Sequence, residues 1–468
     1  DEYLSKLYEH SDCLIAASYG EGFGLPLIEA TQRGLSIVCR DIPVFREVAT
    51  DHAMYFGGKH TEPLATTMRH WLRAYDAGSH LKSNEMPWLT WEESSNTVKG
   101  LLVKHELPRQ QLLVDISELV KHDAKTGIQR VVRNILSELY ATPPDGRVVS
   151  AVYACEQNGY RYANNFIHSF LNLAGSTRAD DYIHYASGDI FLGLDLQPEA
   201  VSKHRGFYEK LRRQGVSVHF VVYDLLPLLS PRFFPEGASE SFVPWLETVV
   251  ENNEPICISK SVANELKLWV SENRKHLDKN LVAKHFSLGA NFDYEALDDK
   301  PSGQTTSTAV NFEDRPSFSM VGTLEPRKGH AQVLDAFDLL WADGLDANLI
   351  IVGKRGWMAD SFCDLLLDHP ESGKRLFWLE GISDAALKQI YAASTCLIAA
   401  SYGEGFGLPL IEAAQYGLPI IARGLPVFKE VAGNGAFYFD GQAPKDIQKA
   451  VKTWLKLHET RKHPKPDT

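Results

Sequence analysis

Two carboxylates eight positions apart give the strongest chemical signal in the chain. Glu404 and Glu412 lie in the segment Ser401–Glu412, which reads SYGEGFGLPLIE and follows an apolar run that ends at Ala400. Its three glycines let backbone amides approach an anion, and Pro409 suits the first turn of a helix whose N-terminus attracts negative charge. The pattern predicts a strand, a loop and a helix that together cradle a phosphate or a sugar.

The two carboxylates can border one pocket at the carboxyl end of a parallel sheet. Carboxylates accept hydrogen bonds from sugar hydroxyls, and such charge-assisted bonds are stronger than neutral ones. A structural alternative exists, in which Glu412 only favours the helix N-terminus and Glu404 points to solvent. These residues by themselves leave both interpretations open.

Two adjacent cations form a second constellation. Arg327 and Lys328 lie in the segment Val321–Gly329, VGTLEPRKG, whose pattern predicts a strand end, a turn and the start of a helix. Arginine grips a phosphate in bidentate fashion and lysine adds a point charge, so the pair suits a leaving diphosphate whose charge grows as a glycosidic bond breaks. The alternative is an ordinary solvated pair on the surface.

A long internal repeat organises the chain. The segment Asp1–Ala49 matches Asp384–Ala432, 383 positions later, and Cys13–Ala30 recurs there without a mismatch. A period this long indicates two whole modules in tandem rather than a solenoid. Glu21 and Glu29 repeat the carboxylate pair, but no Gly-x-x-x-Pro-Arg-Lys segment precedes them. We therefore expect the first copy to be inactive.

Apolar runs rich in β-forming residues alternate with helical patterns such as Ile128–Tyr140, as βαβ units do. A first series predicts one doubly wound parallel sheet. Its predicted strands are Leu112–Ile116, Val148–Tyr153, Ile190–Leu194, Val216–Tyr223 and Pro255–Ser259. The strands predicted for a second series are Phe318–Val321, Asn348–Val352, Leu376–Leu379, Cys396–Ala400 and Pro419–Ala422.

Composition excludes several classes of protein. At 468 residues the chain exceeds one ordinary core, so at least two domains are expected. The net charge of −12 argues against a nucleic-acid partner. No run approaches the roughly 18 apolar residues of a membrane span, and no leader pattern opens the chain. The six cysteines lack paired spacing, which fits a reducing cytosol. We expect a cytoplasmic protein without a transmembrane segment.

The motifs resemble those of a known family. Gly322 to Gly329, followed by Glu404 and Glu412 in an E-x7-E arrangement, is similar to the donor domain of the retaining family-four glycosyltransferases of GT-B fold. The resemblance runs from about Leu112 to the C-terminus. It implies an α/β protein with two Rossmann-like, doubly wound domains that face each other across a cleft, preceded by a partial copy of the C-terminal Rossmann-like domain.

Two further segments resemble the acceptor-domain motifs of this group. They are Asp123–Arg133, reading DAKTGIQRVVR, and Val222–Pro227, reading VYDLLP. The leading piece resembles the tail of another module, as in the two-module mannosyltransferases that build bacterial O-antigen polymannose. Two departures stand out, because many members carry Arg at the position of Thr323 and His at the position of Tyr223.

The resemblance implies a domain order. Residues 1–86 are a partial donor-type domain of a first module, and 87–110 are its closing helix and an inter-module linker. In that helix Thr90 and Glu93 predict a capping box. Residues 111–300 are the N-terminal acceptor-type domain, 301–316 are a linker rich in Ser, Thr and Gly, and 317–468 are the donor-binding domain, truncated before its own closing helix.

It also implies roles for individual residues. Arg327 and Lys328 hold the donor diphosphate beside Gly322 and Thr323. Glu404 touches the transferred sugar.

Glu412 is implied to hold the nucleotide ribose. Gly405, Phe406 and Gly407 offer backbone amides, and Asp224 serves the acceptor side of the reaction.

Ile382 and Asp384 fall in the stretch that contacts the base, and Gly127 is the N-domain glycine near the phosphates. For Asp224 the residues leave a structural alternative open, a strand-end side chain that caps the next turn.

The implied activity is transfer of a hexose, with mannose from GDP-mannose expected, with retention of configuration onto a growing O-antigen-type polysaccharide. The departing phosphate itself helps to take the acceptor proton, and no metal or cofactor is expected. The acceptor is a lipid-linked or free oligosaccharide. Two questions stay open: whether a membrane-associated assembly partner binds the protein, and whether the protein lies peripherally on the inner face of the cytoplasmic membrane.

Two other classes of function also stay open: a non-catalytic glycan-binding or scaffold module of GT-B fold, and another GT-B enzyme, either a sugar-nucleotide epimerase or a phosphorylase.

Overall fold

The computed structural model describes residues 2–103, 110–124, 126–144, 146–156, 159–175, 178–252, 254–274, 281–289 and 315–466. The chain divides into two compact units, Asp1–Pro108 and Arg109–Thr468, called unit 1 and unit 2 below. Most of the predicted linker, residues 301–314, lies outside the described residues, as do residues 104–109 and Lys125. No helix in the described part of the chain is long and apolar enough to cross a bilayer.

Unit 1 contains a three-stranded parallel sheet. Its three parallel strands are β1 (Cys13–Ala16), β2 (Ser36–Arg40) and β3 (Met54–Phe56), in that order in the sheet. Its helices are α1 (Glu2–Glu9), α2 (Leu25–Thr31), α3 (Pro43–Ala49), α4 (Thr61–Asp76) and α5 (Trp91–Val103). Helices cover both faces, with Ile37 and Phe45 in one cluster and Val38 and Trp71 in the other.

The capping box predicted for α5 is confirmed. Glu93 accepts from the Thr90 amide at 2.7 Å, and the Glu93 amide donates to the Thr90 hydroxyl at 3.1 Å. These two bonds satisfy amides that the first helical turn leaves without partners. The start of this helix is thus set by four consecutive residues.

The first part of unit 2 is a seven-stranded sheet. Its strands are β4 (Gln111–Asp115), β5 (Val148–Cys155), β6 (Gly159–Tyr162), β7 (Ile190–Gly193), β8 (Ser217–Val222), β9 (Ile256–Cys257) and β10 (Lys284–His285). Their order is β10-β9-β8-β7-β4-β5-β6, so the direction of winding reverses between β4 and β7. Clusters that include Trp245 on one face and Val114 on the other form its core.

Helices connect these strands on both faces. They are α6 (Ser117–Lys121), α7 (Gly127–Ala141), α8 (Asn164–Phe170), α9 (Pro198–Lys203), α10 (Arg205–Arg213), α11 (Leu226–Leu229), α12 (Ala238–Val250) and α13 (Lys260–Asn273). Thr126 and Gln129 form a capping box at the start of α7, and the Ser259 hydroxyl accepts from the Val262 amide at the start of α13. Both helices therefore begin at the carboxyl end of the sheet.

The second part of unit 2 is a six-stranded parallel sheet. Its strands are β11 (Ser317–Val321), β12 (Asn348–Val352), β13 (Leu376–Leu379), β14 (Cys396–Ala399), β15 (Ile420–Arg423) and β16 (Ala436–Phe439), and their order is β13-β12-β11-β14-β15-β16. Its helices are α14 (His330–Ala342), α15 (Asp360–Asp368), α16 (Asp384–Ala393), α17 (Leu408–Gln415), α18 (Pro426–Ala432) and α19 (Pro444–Glu459). This is the Rossmann order, with its switch point between β11 and β14.

The structure differs from the sequence prediction at the edges of both sheets. β6 pairs antiparallel with β5, so the first sheet is not purely parallel, and β10 and β16 were not predicted. Gly159–Tyr162 and Ala436–Phe439 are four residues each, and Lys284–His285 is only two. These three are edge strands, and pairing with a neighbouring strand, rather than the local sequence, decides them.

The loop Gly403–Gly407 lies between the two sheets of unit 2. Phe406, the side chain at its centre, is 5% exposed and belongs to the core cluster of the first sheet, with Val114 and Tyr223. A Cβ atom at Gly405 would overlap the carbonyl oxygen of Tyr223, so only glycine permits this approach. The loop thus anchors the second sheet of unit 2 in the core of the first sheet.

The same sequence in unit 1 gives a matched comparison for this anchor. We expect Phe406→Ala to destabilise unit 2 by about 3 kcal/mol, since removal of a buried aromatic ring costs that much or more. Phe23, its counterpart, is 55% exposed, so Phe23→Ala is expected to have a small effect. Urea unfolding of both variants, monitored by hydrogen exchange of the amides of unit 2, measures the two changes in the free energy of unfolding. Equal decreases for the two variants would contradict the anchoring role of Phe406.

Candidate active site

The candidate residues gather where the second sheet switches winding direction. β11 ends at Val321 and its neighbour β14 ends at Ala399, so the loops that follow them leave side by side. Ligands of doubly wound sheets bind in this crevice, outside the carboxyl ends of the strands. The Arg327–Lys328 pair follows β11 and Glu404 follows β14.

Glu404 is bound to both predicted cations. Lys328 donates from Nζ to Glu404 Oε1 at 2.6 Å, and Arg327 Nη1 lies 3.2 Å from Oε2. Ser401, three residues before it, donates its hydroxyl to Oε1 at 2.7 Å. The structural alternatives weighed for these residues, a solvated carboxylate and a solvated basic pair, are therefore wrong, since the three side chains are 11 to 15% exposed.

The cations determine the charge state of this carboxylate. Burial by itself raises the pKa of Glu404, but Lys328 and Arg327 outweigh that effect and hold the pKa at about 2. Glu404 is therefore anionic at any physiological pH. Its charge keeps the two cations in fixed positions beside the strand ends.

Arg327 also faces other carboxylates. Its Nε lies 2.8 Å from Glu325 Oε2, and Glu325 is buried. Burial opposes the charge of Arg327, yet Glu404, Glu325 and Asp224 together raise its pKa. The cluster is thus a compact network of opposite charges from two loops of one domain and one strand end of the other.

Asp224 lies across the domain boundary from this network. Its pKa is raised by burial, although the Arg327 charge opposes that rise. Its Oδ1 accepts from the Leu226 amide at 3.0 Å, so the side chain does cap the turn after β8, as the structural alternative predicted. The same residue also adjoins the Glu404 loop, because a Cβ at Gly405 would contact the Asp224 Cβ. Asp224 therefore caps the turn after β8 and also lies beside the Glu404 loop.

Glu412 lies in α17 and its side chain is 4% exposed. Its Oε1 accepts from Arg130 Nη1 at 2.7 Å and its Oε2 accepts from the Tyr391 hydroxyl at 2.7 Å. Arg130 belongs to α7, which packs on the first sheet of unit 2, so this ion pair joins the two parts of the unit. The alternative that Glu412 merely favours the helix N-terminus is wrong, because both of its oxygens have specific side-chain partners.

The remaining predicted residues border the same region. Gly407 precedes α17 with φ of 95°, a conformation that favours glycine, and Gly127 opens α7, the helix that carries Arg130. Gly322 directly follows β11, and its amide donates to the Val352 carbonyl at 2.9 Å. Thr323, next to it, is half-buried.

Ile382 and Asp384 have different environments. Ile382 packs against the cluster of Ile350 and Phe377, so its side chain serves the core. Asp384 is exposed in the first turn of α16, and its charge acts on Glu412 to raise the pKa of that carboxyl. The structure thus brings Asp384 to the edge of the site and assigns the Ile382 side chain to packing.

Four contributors to the site had no predicted role: Glu325, Ser401, Arg130 and Tyr391. The first two lie inside the recognised motifs, three residues or fewer from their partners. The repeat contains a signal for Tyr391, because Tyr8 occupies the equivalent position in the first copy. In unit 1 Tyr8 likewise donates to Glu29, at 2.8 Å. Arg130 is 282 residues from Glu412, and no local pattern predicts that pair.

Comparisons with known proteins show which sequences and folds this chain is similar to. The family model of glycosyl transferases group 1 matches residues 1–85 and 305–467. The serotype-specific mannosyltransferase WbdA of Escherichia coli is 39% identical over the whole chain, which spans 63% of the length of that protein. The O-antigen chain mannosyltransferase RfbU of Salmonella typhimurium is 38% identical over 29% of this chain and 37% of its own length.

A solved structure shares the fold. A sucrose-phosphate synthase from Thermosynechococcus elongatus superposes with a TM-score of 0.51 over 76% of this chain and 92% of its own, at 15% identity. The predicted architecture of two Rossmann-like, doubly wound domains of GT-B type is therefore confirmed.

The Glu404 network predicts an acid-dependent stability. The pKa of Glu404 is about 2 in the folded chain against an ordinary value of 4.5, so its contribution is complete above about pH 4.5 and is lost as pH falls towards about 2. Glu404→Gln removes this ionisable group. We therefore expect the free energy of unfolding of this variant, measured by urea titration, to fall less than that of the unaltered chain between about pH 4.5 and about pH 2. Glu21→Gln, the same change in unit 1, should follow the unaltered chain.

Proposed function

Because the chain belongs to the glycosyl transferases group 1 family, we propose that unit 2 transfers a hexose from a nucleotide sugar to an oligosaccharide. The observation that carries the proposal is the contact of Glu404 with Lys328 and Arg327 at the switch point of the donor-type sheet. Two cations held there by a buried anion suit a diphosphate leaving group. Fold alone would not support an activity, since one fold hosts many functions.

In this proposal Arg327 and Lys328 bind the diphosphate and stabilise the negative charge that develops as the glycosidic bond breaks. Groups that are already fixed before the reaction need no reorganisation when that charge appears. Glu404 holds them in place and lies where a sugar hydroxyl can donate to it. The amides of Gly405, Phe406 and Gly407 at the start of α17 add a favourable dipole.

We propose mannose as the transferred hexose and GDP-mannose as the donor, with retention of configuration and a growing O-antigen-type polysaccharide as the acceptor. The support is that curated relatives carry the names mannosyltransferase and O-antigen chain mannosyltransferase. Glu412 would hold the ribose of the nucleotide, and Asp384 would lie towards the base. The departing phosphate would take the acceptor proton, so no nucleophilic side chain is required.

The hydroxyl of Ser18 donates to Glu21 at 2.7 Å, as the hydroxyl of Ser401 does to Glu404, so unit 1 preserves the geometry of the carboxylate loop.

For the whole protein we propose a cytoplasmic place at the inner face of the membrane, beside a membrane-associated assembly partner. A lipid-linked acceptor would require such a place. A free oligosaccharide acceptor would not require it.

A panel of GDP- and UDP-sugars with a short mannose oligosaccharide tests the activity. We expect an extended product from GDP-mannose, and a loss of about a hundred-fold or more in rate for both Glu404→Gln and Lys328→Ala, as for removal of other preorganised electrostatic groups. Glu21→Gln is the matched control and should keep full activity. Mannoside binding without consumption of any donor would favour a glycan-binding module, and donor conversion without an acceptor would favour an epimerase.

The same assay tests the charge neutralisation. If Arg327, Lys328 and the N-terminus of α17 suffice for the diphosphate, transfer should be unchanged by EDTA. Product is measured with and without the chelator, and again after manganese is added back. Complete loss in EDTA with recovery in manganese would overturn this part of the proposal.

A further inference from the structure

Arg130 and Glu412 form an ion pair that joins the two sheets of unit 2. Arg130 Nη1 lies 2.7 Å from Glu412 Oε1, and the Tyr391 hydroxyl donates to Oε2 at 2.7 Å. The glutamate is 4% exposed and the arginine 35% exposed, so the carboxylate is buried beneath a cation that still reaches solvent. The pair therefore lies at the boundary between the domain core and the open cleft.

This arrangement leaves acceptor capacity on the carboxylate. An ionised carboxylate has about four lone-pair sites, two on each oxygen. Arg130 occupies one site of Oε1, and Tyr391 occupies one site of Oε2. These two bonds use one site on each oxygen, and a carboxylate oxygen can accept a second hydrogen bond from a ligand hydroxyl. A pair of neighbouring hydroxyls, such as the 2′- and 3′-hydroxyls of a ribose, matches two acceptors on one carboxylate.

The charges around Glu412 explain why a cation is needed there. Burial raises the pKa of Glu412, and the charge of Asp384 on α16 raises it further. Arg130 from α7 and the hydrogen bond from Tyr391 on α16 act in the opposite direction. If the carboxyl were protonated, it would lose acceptor sites and become a donor on one oxygen. The ion pair with Arg130 therefore favours the form that accepts from two hydroxyls.

We propose that Arg130 is a nucleotide-positioning residue that acts through Glu412, holding both carboxylate oxygens where they accept the two vicinal hydroxyls of the donor ribose. The inference rests on the proposed function, and it deepens it by assigning part of ribose recognition to the acceptor-type domain. Because the arginine comes from the opposite side of the cleft, nucleotide affinity depends on the two domains being together.

The test compares the binding of GDP and 2′-deoxy-GDP by calorimetry in the unaltered chain, Arg130→Gln and Arg130→Lys. In the unaltered chain GDP should bind about ten-fold more tightly than the deoxy form, as for loss of one charge-assisted hydrogen bond. In Arg130→Gln this preference should fall to a few-fold or less, and what is left should be larger at alkaline than at neutral pH, because a higher pH favours the ionised form of Glu412. Arg130→Lys keeps a positive charge and should retain most of the preference.

Two further variants show whether Arg130 acts through Glu412. Glu412→Gln should abolish the preference, and adding Arg130→Gln to it should cause no further loss; Glu29→Gln in unit 1 is the matched control. A preference in Arg130→Gln equal to that of the unaltered chain at every pH overturns this inference alone. If the unaltered chain binds no nucleotide, the proposed function fails and this inference fails with it.

Discussion

The close approach of one loop to the opposite domain governs the rest of unit 2. Gly405 lies so near the carbonyl of Tyr223 that no side chain fits, and its own carbonyl accepts from the Ser259 hydroxyl at 2.8 Å. Phe406 then enters the core of the first sheet. The backbone of the loop that carries Glu404 is thus held by contacts with both domains.

The contacts that surround this loop are directional and largely charged. Glu430 of α18 accepts from the amides of Lys260 and Ser261 at 2.7 and 2.8 Å, so a carboxylate of one domain caps helix α13 of the other. Anions stabilise helix N-termini, which makes this an inter-domain version of a local cap. With the pair of Arg130 and Glu412, such contacts help to set the orientation of the two domains. Apolar contacts add to them, because Leu408, Ile411 and Val431 also pack against the core of the first sheet.

The internal repeat separates local from tertiary effects within one chain. Gly24 and Gly407 have φ of 91° and 95°, and in both copies a phenylalanine ring lies where a Cβ would be. The loop geometry therefore follows from the repeated sequence itself. Burial does not: Ile15 is 46% exposed, whereas the equivalent Ile398 is 2% exposed. The difference arises because β14 pairs with β11, and β1 pairs only with β2 among the described residues of unit 1.

Sequence by itself determined the elements and the motifs of this protein. Alternating apolar runs predicted most of the strands, and the residues of Val321–Gly329 and Ser401–Glu412 identified the strand ends where the site lies. These features depend on neighbours within a few residues, so a single sequence contains them. Only the tertiary structure decided the antiparallel pairing of β6, the pairing of Arg130 with Glu412 and the double role of Asp224. Those depend on groups distant in the chain, whose proximity is set by sheet order and domain packing rather than by local preference.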